Sequence, residues 1–548
     1  MINKSLIKSF ILKEQNLFLL MLIMGLVPLL IPKYFLTLDG ASHFYNGNII
    51  KELILGNYSQ YGKLFELNPL LVPNWISHFL FASLNLFLPA FIAEKLILAS
   101  YLVLFPLFFR KIILFITPEN KVFTYLPIVF AHNHLLYFGF FNLVLALVPF
   151  LATVYYILKK INQFNIRSLL ILSSLFLVTY FSHILIYLLL LVLVFILPFN
   201  SIHIRQVKNK FELSNWNIIF TKIKIIGVSV IPSLILAINY LVHVDSLEKA
   251  GRMNLDILLK WIVDIRTLLT LCYCKDWYMV THILMGLFLI LVIFTSISTI
   301  KRTCSITDHK LTLQILKPNF KIIWLLFFLL FALLFLIVPN ANLLSDRLIL
   351  LTFIFFIMWI SVQKYPKWIH RLSLVVILII HSTFVIWHTK AMKSTSNEVE
   401  MMTQITPFIP EGSLLLPFNY AKDYNWLHSH STGYLGSEKS INVIENYEAQ
   451  LKWFPVKWNL NGPYELDRIN VWGVQNKNII KDFFINSQHP TCFSLPLKNG
   501  EAQEIEYVTI IGHPQDKNEA NFKEIQSIIQ KNYSMIFQND FCKLYQLK

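Results

Sequence analysis

Long apolar stretches alternate with short polar segments from Leu17 to Ile386, and a more polar tail follows them. A helix needs about 20 apolar residues to cross the ~30 Å hydrocarbon core of a bilayer, so the pattern predicts a polytopic α-helical membrane protein. About eleven transmembrane helices are expected, although the stretches 122–131 and 168–181 are shorter than the ~17 residues usually needed. The predicted spans are residues 17–36, 90–109, 122–131, 140–158, 168–181, 184–199, 225–243, 277–299, 322–338, 348–362 and 372–389.

Basic residues gather in alternate connecting segments. These segments hold 22 Lys/Arg against four acids, whereas the loops between them have few basic residues or balanced charge. By the positive-inside rule the basic segments are cytoplasmic, and an odd number of crossings then puts the C-terminus outside. Lys4, Lys8 and Lys13 precede the first span and no small-residue cleavage site follows it, so we expect that span to be retained. The basic segments are residues 1–15, 110–121, 159–167, 200–224, 300–321 and 363–371.

Composition agrees with a bilayer environment. Of 548 residues, 56% are hydrophobic and only 14% are charged, and the mean hydropathy is +0.58; soluble domains have about a quarter charged residues. The net charge of +16 is not that of a nucleic-acid binder, because residues 391–548 carry 14 Lys/Arg and 17 Asp/Glu and the excess lies in the membrane part. No basic stripe interleaved with aromatic residues occurs, so no nucleic-acid partner is expected.

Two regions lie outside the predicted spans. Residues 37–89 form a long first loop, in which 41–55 and 74–86 are predicted to be interfacial helices on the membrane surface. We assign this loop to a membrane domain of residues 1–390. Residues 391–548 are predicted to form a soluble extracytoplasmic α/β domain, which is large enough to bury its own core.

The tail has its own element pattern. The short runs Ser413–Pro417 and Glu506–Ile511 predict strands, Asn518–Lys531 predicts a helix, and Phe541–Gln546 closes the chain. Cys492 and Cys542 both fall in this region, either as a disulfide in an oxidising compartment or as simply buried thiols.

Ionisable residues are nearly absent from the middles of the spans, with His381 as the main exception. An ion-coupled transporter usually needs such groups near the midplane. Polar groups instead collect at the predicted external ends of the spans, which is typical of chemistry at the outer membrane interface. They are Asp39, His43, Glu66, His78, Glu94, His132, His134, Asn142, His183, Asp346 and Arg347.

Asp39 opens the sharpest local motif. A helix beginning there puts Asp39, His43 and Asn46 on one face. The carboxylate is then a candidate general base for an acceptor hydroxyl, and with His43 a candidate ligand of a divalent metal ion. The alternative is that Asp39 only caps the helix.

Further candidates lie in other spans and in the tail. Arg347 suits a lipid-linked phosphate because its guanidinium is always charged and binds bidentately, although it can also pair with Asp346 or reach toward headgroups. The candidate phosphate-binding set is Arg347, His132, His134 and His183. An acceptor is expected at Glu66, Asn446, Tyr447 and Glu448, although this aromatic-rich part of the tail also suits a domain core.

The whole plan resembles the GT-C class of membrane glycosyltransferases, which includes protein O-mannosyltransferases and aminoarabinose transferases of lipid A. In that class an acidic motif after the first helix opens a long external loop. Here Asp39-Gly40-Ala41-Ser42-His43 occupies that position. Further segments follow in an order similar to that class, namely residues 52–58, Asn68-Pro69, Asn74-Trp75 and Ala93-Glu94-Lys95. The motifs Tyr180-Phe181-Ser182-His183 and Asn446-Tyr447-Glu448-Ala449 are similar to motifs of bacterial membrane proteins related to that class.

The resemblance implies a polyprenyl-phosphate sugar as donor, membrane lipid around it, and transfer at the outer face of a bacterial inner membrane, with Asp39 as base or metal-linked acid. Many members have two adjacent acids, whereas Gly40 takes the second position here. His43 or Glu66 then supplies the missing function, or the activity is different or lost. The alternatives are a transporter or flippase of lipid-linked saccharides and a non-catalytic envelope assembly or sensory protein.

Overall fold

The structure is a computed structural model that describes residues 14–56, 61–160, 165–201, 203–207, 210–243, 251–304, 319–421, 426–460, 492–496, 502–514 and 519–548. Three lysines of the predicted N-terminal cytoplasmic segment, Lys4, Lys8 and Lys13, lie outside these residues, as do Asn57 and Tyr58 of the first loop.

The chain divides into two compact units. The first, here called the helical unit, comprises Met1–Val27, Ser100–Leu135 and Leu143–Trp387. The second, here called the site unit, comprises Pro28–Ala99, Leu136–Asn142 and His388–Lys548. Sequence patterns grouped the 37–89 loop with the transmembrane helices, whereas the structure groups this loop with the C-terminal region.

Helices make up most of the described chain. The first nine are α1 Glu14–Leu30, α2 Gly40–Leu55, α3 Ile76–Leu84, α4 Ala90–Ile116, α5 Leu126–Ala131, α6 His134–Tyr137, α7 Phe141–Lys160, α8 Ile166–Ser182 and α9 Ile184–Ile196. They are followed by α10 Trp216–His243, α11 Leu255–Val263, α12 Lys275–Cys304, α13 Phe320–Ile337, α14 Leu344–Ser361, α15 Lys367–Thr403, α16 Gly433–Glu438 and α17 Glu519–Asn532.

Seven helices of the described residues are long and apolar enough to cross a membrane, so the protein is a membrane-embedded helical protein. They are Ala90–Ile116, Phe141–Lys160, Trp216–His243, Lys275–Ile300, Phe320–Ile337, Ala341–Ser361 and Lys367–Phe408. The expected eleven spans are not confirmed. Three of the others are shorter apolar helices, and the predicted span 122–131 is a 3₁₀ turn, Lys121–Tyr125, followed by the six residues of α5.

Burial distinguishes the long helices of the helical unit from one another. In α10, α12 and α13 only 28% of the most apolar window is buried, against 78% in Ala341–Ser361. Apolar side chains left uncovered on a long helix indicate contact with lipid. Ala341–Ser361 is therefore an inner helix, and its Phe355 contacts Phe327 and Phe331 of α13 at ring distances of 5.2 and 5.3 Å.

The C-terminal part of the site unit contains a mixed sheet of five described strands in the order β10-β11-β9-β4-β5. β4 pairs in parallel with β5 and β9, whereas β11 is antiparallel to β9 and β10. The predicted tail elements are thereby confirmed with ends that differ by one to three residues. The strands are β1 Phe65–Leu67, β2 His203–Val207, β3 Lys210–Ser214, β4 Leu414–Tyr420, β5 Asn442–Val443, β6 Val456–Trp458, β7 Ser494–Pro496, β8 Ala502–Glu504, β9 Tyr507–Gly512, β10 Tyr533–Gln538 and β11 Cys542–Leu547.

The cysteines of the tail follow one of the two expected alternatives. Cys492 and Cys542 are both buried and are free thiols in the described structure. The disulfide between them is therefore not formed.

Helix α2 differs from the expected interfacial helix because it is buried along nearly its whole length. Its polar residues face protein: the amide of Asn48 donates to the carbonyl of Gly436 at 2.8 Å. Gly433 permits this approach, since a Cβ there would lie 2.5 Å from the carbonyl oxygen of Ala41. The first loop and the C-terminal region thus share one core.

The turn before α2 depends on Gly139. The amides of Leu38 and Asp39 donate to the carbonyls of Tyr137 and Phe138, at 3.1 and 3.2 Å. Gly139 follows with φ +76°, and a Cβ there would lie 2.5 Å from the backbone nitrogen of Gly40. A side chain at this position would push the turn that carries Asp39 away from its backbone partners Tyr137 and Phe138.

We predict that Gly139→Ala destabilises the protein by about 2 kcal/mol or more, because it adds a left-handed backbone penalty to a backbone clash. The measurement is the thermal unfolding of the detergent-purified protein. Gly286→Ala is the matched control, since a Cβ at Gly286 meets nothing within 4 Å and alanine suits a helix interior. Equal melting temperatures for the two variants would contradict the prediction.

Candidate functional site

Asp39 occupies the N-cap position of α2, yet its side chain makes no cap hydrogen bond to any residue that the structure describes. The hydroxyl of Thr37 accepts from the amide of Gly40 at 3.1 Å instead. Capping is therefore not what the Asp39 carboxylate does, although the helix begins where the sequence predicted.

The Asp39 carboxylate lies in a group of residues here called the Asp39 cluster, which comprises Asp39, His430, Glu445 and Tyr447. The imidazole of His430 hydrogen-bonds Glu445 through Nδ1 at 2.5 Å and faces Asp39 Oδ1 through Nε2 at 3.7 Å. The hydroxyl of Tyr447 hydrogen-bonds Asp39, and its ring stacks on His430 with centroids 4.2 Å apart. One carboxylate thus orients an imidazole toward a second carboxylate.

Burial sets the protonation of this cluster. It raises the pKa of Asp39 to about 7, because desolvation and the neighbouring Glu448 outweigh the opposing His430 charge and the Tyr447 hydrogen bond. Burial alone would lower the pKa of His430, but Glu445 and Asp39 more than offset it and the net pKa is raised. The Asp39 side chain keeps 10% exposure, so a small part of it is accessible. A carboxylate of this kind can accept a proton near neutral pH.

A second group, here called the His–Glu triad, comprises His43, His78 and Glu448. Glu448 Oε1 lies 3.0 Å from His43 Nδ1, and Glu448 Oε2 lies 2.8 Å from His78 Nε2. The same two ring nitrogens are 3.1 Å apart. All three residues are buried, and one ligand atom from each falls within 4.8 Å of the others, so the group can hold a metal ion.

Desolvation controls the charge of the triad. It lowers the pKa of His43 to about 4 and that of His78 to about 3, so both rings are neutral at neutral pH. Burial raises the pKa of Glu448, which the nearby His43 opposes. Neutral imidazole is the form that binds metals. The metal pair expected from sequence was Asp39 with His43; the structure brings together His43, His78 and Glu448 instead.

Both groups draw on one short segment, Glu445–Glu448. Glu445 and Tyr447 reach the Asp39 cluster, and Glu448 reaches the triad. Asn446 exchanges two amide hydrogen bonds with Asn46 of α2, at 3.0 and 2.8 Å, and Asn46 also donates to Glu448 Oε2 at 2.8 Å. The predicted helix face of Asp39, His43 and Asn46 is therefore the face that meets this segment.

The candidate phosphate-binding residues belong to the helical unit. His132 hydrogen-bonds the carbonyl of Gly25 at 2.7 Å, and His134 pairs with Asp346 at 3.0 Å. Asp346 also forms an ion pair with Arg266, with Oδ1 and Nη2 3.2 Å apart. His183 is the N-cap of α9, and its Nδ1 accepts from the amide of Leu185 at 3.2 Å. Arg347 lies within electrostatic reach of His183 and Tyr240.

Of the acceptor candidates, Tyr447 belongs to the Asp39 cluster and Glu448 to the triad, and Asn446 lies between them in the same segment. Glu66 is exposed on β1 opposite Lys457. Sequence reasoning did not select His78, His430 or Glu445 as site residues. A signal for two of them was present: His78 was among the polar residues at the external rim, and His430 lies in the aromatic-rich run 426–430. Glu445 had no local signal.

Comparison with known proteins does not assign this chain to a family. The sequence matches no family model and no curated protein.

The paired amides permit a direct test of how the Glu445–Glu448 segment is held. We predict that Asn46→Ala and Asn446→Ala each lower the melting temperature, and that the double variant loses less than the sum because the two residues serve each other. The expected coupling is about 0.5–3 kcal/mol. Asn46→Ala combined with Asn120→Ala should be additive, since Asn120 bonds the carbonyls of Ser361 and Gln363. Additivity in both pairs would contradict the reciprocal contact.

Proposed function

We propose that this protein is a membrane glycosyltransferase that moves a sugar from a polyprenyl-phosphate donor to an acceptor hydroxyl. The observation that carries the proposal is the Asp39 cluster. The buried Asp39 carboxylate makes no helix-cap hydrogen bond among the described residues and faces the imidazole of His430, which Glu445 orients. This arrangement suits proton removal from a hydroxyl in a site largely shielded from water.

In the proposed reaction the acceptor hydroxyl gives its proton to Asp39. Its oxygen attacks the anomeric carbon of the donor sugar from the face opposite the phosphate. The carbon–oxygen bond to phosphate breaks, polyprenyl phosphate leaves with the electron pair, and the anomeric configuration inverts. His430, held by Glu445, positions the Asp39 carboxylate and balances its charge. Asn446, Tyr447, Glu448 and Glu66 are the candidate acceptor contacts.

The donor requires a cationic group for its phosphate and an apolar surface for its chain. Arg347 is the proposed phosphate ligand, with His132, His134 and His183 as further candidates, because a guanidinium matches phosphate geometry. The many apolar side chains exposed on the long helices supply surface for the polyprenyl chain. The proposed location is the outer face of a bacterial inner membrane, with the C-terminal region extracytoplasmic.

We predict that Asp39→Asn abolishes transfer while leaving the protein expressed, because the amide keeps the shape of the side chain and cannot take a proton. The measurement is mass spectrometry of envelope glycans and lipid-linked sugars in cells that lack the protein and are complemented with each variant. Cells with Asp39→Asn should match the deletion.

Asp540→Asn is the matched control, since it makes the same chemical change at an exposed position of the same unit. It should restore the wild-type profile. Full restoration by Asp39→Asn would remove Asp39 as the base, and a deletion with unchanged glycans and lipid-linked sugars would remove the proposed activity.

For the donor, we predict that Arg347→Gln weakens binding of a short-chain polyprenyl phosphate about tenfold or more, because a charge-assisted contact to phosphate is lost. Binding is measured on the detergent-solubilised full chain by tryptophan fluorescence. Arg371→Gln, which removes the same charge at an exposed position of the same unit, should bind like wild type. Equal affinity for both variants would exclude Arg347 from phosphate recognition.

A further inference from the structure

The His–Glu triad poses an electrostatic problem, because the atoms that converge are acceptors. His78 has one N–H when neutral, and its Nδ1 lies 3.0 Å from the carbonyl oxygen of Asn74. A carbonyl only accepts, so Nδ1 carries the proton and Nε2 carries a lone pair. That lone pair points at Glu448 Oε2, 2.8 Å away.

His43 repeats the pattern. Its ring also hydrogen-bonds the backbone of Gly139, which commits one ring nitrogen to a structural contact. The other, Nδ1, faces both Glu448 Oε1 and His78 Nε2. Imidazoles whose second nitrogen donates to a backbone carbonyl are the usual form of metal-binding histidines, since that bond fixes the tautomer and the ring orientation.

The two oxygens of the Glu448 carboxylate differ in their hydrogen bonding. Asn46 donates to Glu448 Oε2 at 2.8 Å, whereas Glu448 Oε1 is buried with no hydrogen-bond donor among the described residues. A buried carboxylate oxygen without a donor is costly. A single shared proton can bridge one of the close pairs, but it leaves the remaining lone pairs facing each other. A cation at the centre satisfies all of them.

We propose that His43, His78 and Glu448 form a binding site for a divalent transition-metal ion, zinc being the best match. Two imidazoles and one carboxylate are a zinc-type ligand set with a fourth position left for water or another ligand, whereas magnesium and calcium prefer oxygen ligands throughout. The site joins α2, α3 and the Glu445–Glu448 segment. It does not depend on the proposed sugar transfer.

The test uses full-length protein expressed in zinc-supplemented medium and purified in detergent, with metal content measured by elemental mass spectrometry. Wild type should carry about one zinc ion per chain. His78→Gln and Glu448→Gln should lower the content tenfold or more, since each removes a ligand. His513→Gln, an exposed histidine of the same unit, should keep the wild-type content. Asp39→Asn should also keep it, which separates this site from the proposed base.

A second measurement, the melting temperature of wild type with and without metal, keeps the test valid if the ligand variants fold poorly. Chelation should lower the melting temperature of wild type, and zinc chloride, but not magnesium chloride, should restore it. Cobalt added to the stripped protein should give visible absorption that His78→Gln lacks. Wild type without stoichiometric metal and without a zinc-dependent melting shift would overturn the proposal and leave a proton-sharing carboxylic acid. Equal metal content in wild type and both ligand variants would overturn it as well.

Discussion

The buried carboxylate of Glu448 is the constraint on which the site unit depends. An ionised carboxylate removed from water is strongly unfavourable unless nearby groups balance it. Here the groups around Glu448 come from far along the chain: Asn46 of α2 donates to it, and His43 of α2 and His78 of α3 lie 3.0 and 2.8 Å from its two oxygens, where the proposed metal ion would balance the charge. These contacts give a segment with little regular structure a single position against two helices. Once that position is fixed, the rest of the Glu445–Glu448 segment has little freedom, and the side chains that meet Asp39 are fixed with it.

The segment links two kinds of chemistry over four residues. Glu445 and Tyr447 contact the Asp39 cluster, while Asn446 and Glu448 contact α2 on the triad side. The segment enters a short 3₁₀ turn at Tyr447–Gln450, and its successive side chains point to different sides, so one short piece of backbone serves both groups. A change in the charge of the triad therefore acts on Asp39, through the Glu448 charge that contributes to the raised Asp39 pKa. The electrostatics at Asp39 are coupled to a group that does not include it.

Local patterns anticipated what local physics determines. The start of α2 and the shared face of His43 and Asn46 follow from helical spacing, and four tail elements, β4, β9, α17 and β11, follow from the local residue pattern. The long-range contacts of these elements could not be predicted from local sequence patterns. Asn46 meets Asn446 across a sequence separation of 400 residues, and nothing near Glu445 distinguishes it from a surface acid. The eleven predicted spans are not confirmed for a related reason: the apolar run 122–131 also suits a short buried helix, and only tertiary packing separates the two.

The glycine that follows Asp39 shows how structure changes the meaning of a sequence difference. The resemblance to GT-C enzymes leads one to expect a second acid beside the first, but Gly40 occupies that position. A Cβ at Gly40 would collide with the hydroxyl of Thr37 and lie 2.7 Å from the ring of Phe141, so no acidic side chain fits there. Negative charge reaches Asp39 by another route, because Glu445 and Glu448 both act on it electrostatically. Two further carboxylates therefore act on Asp39 from positions about 400 residues away, both carried by the Glu445–Glu448 segment.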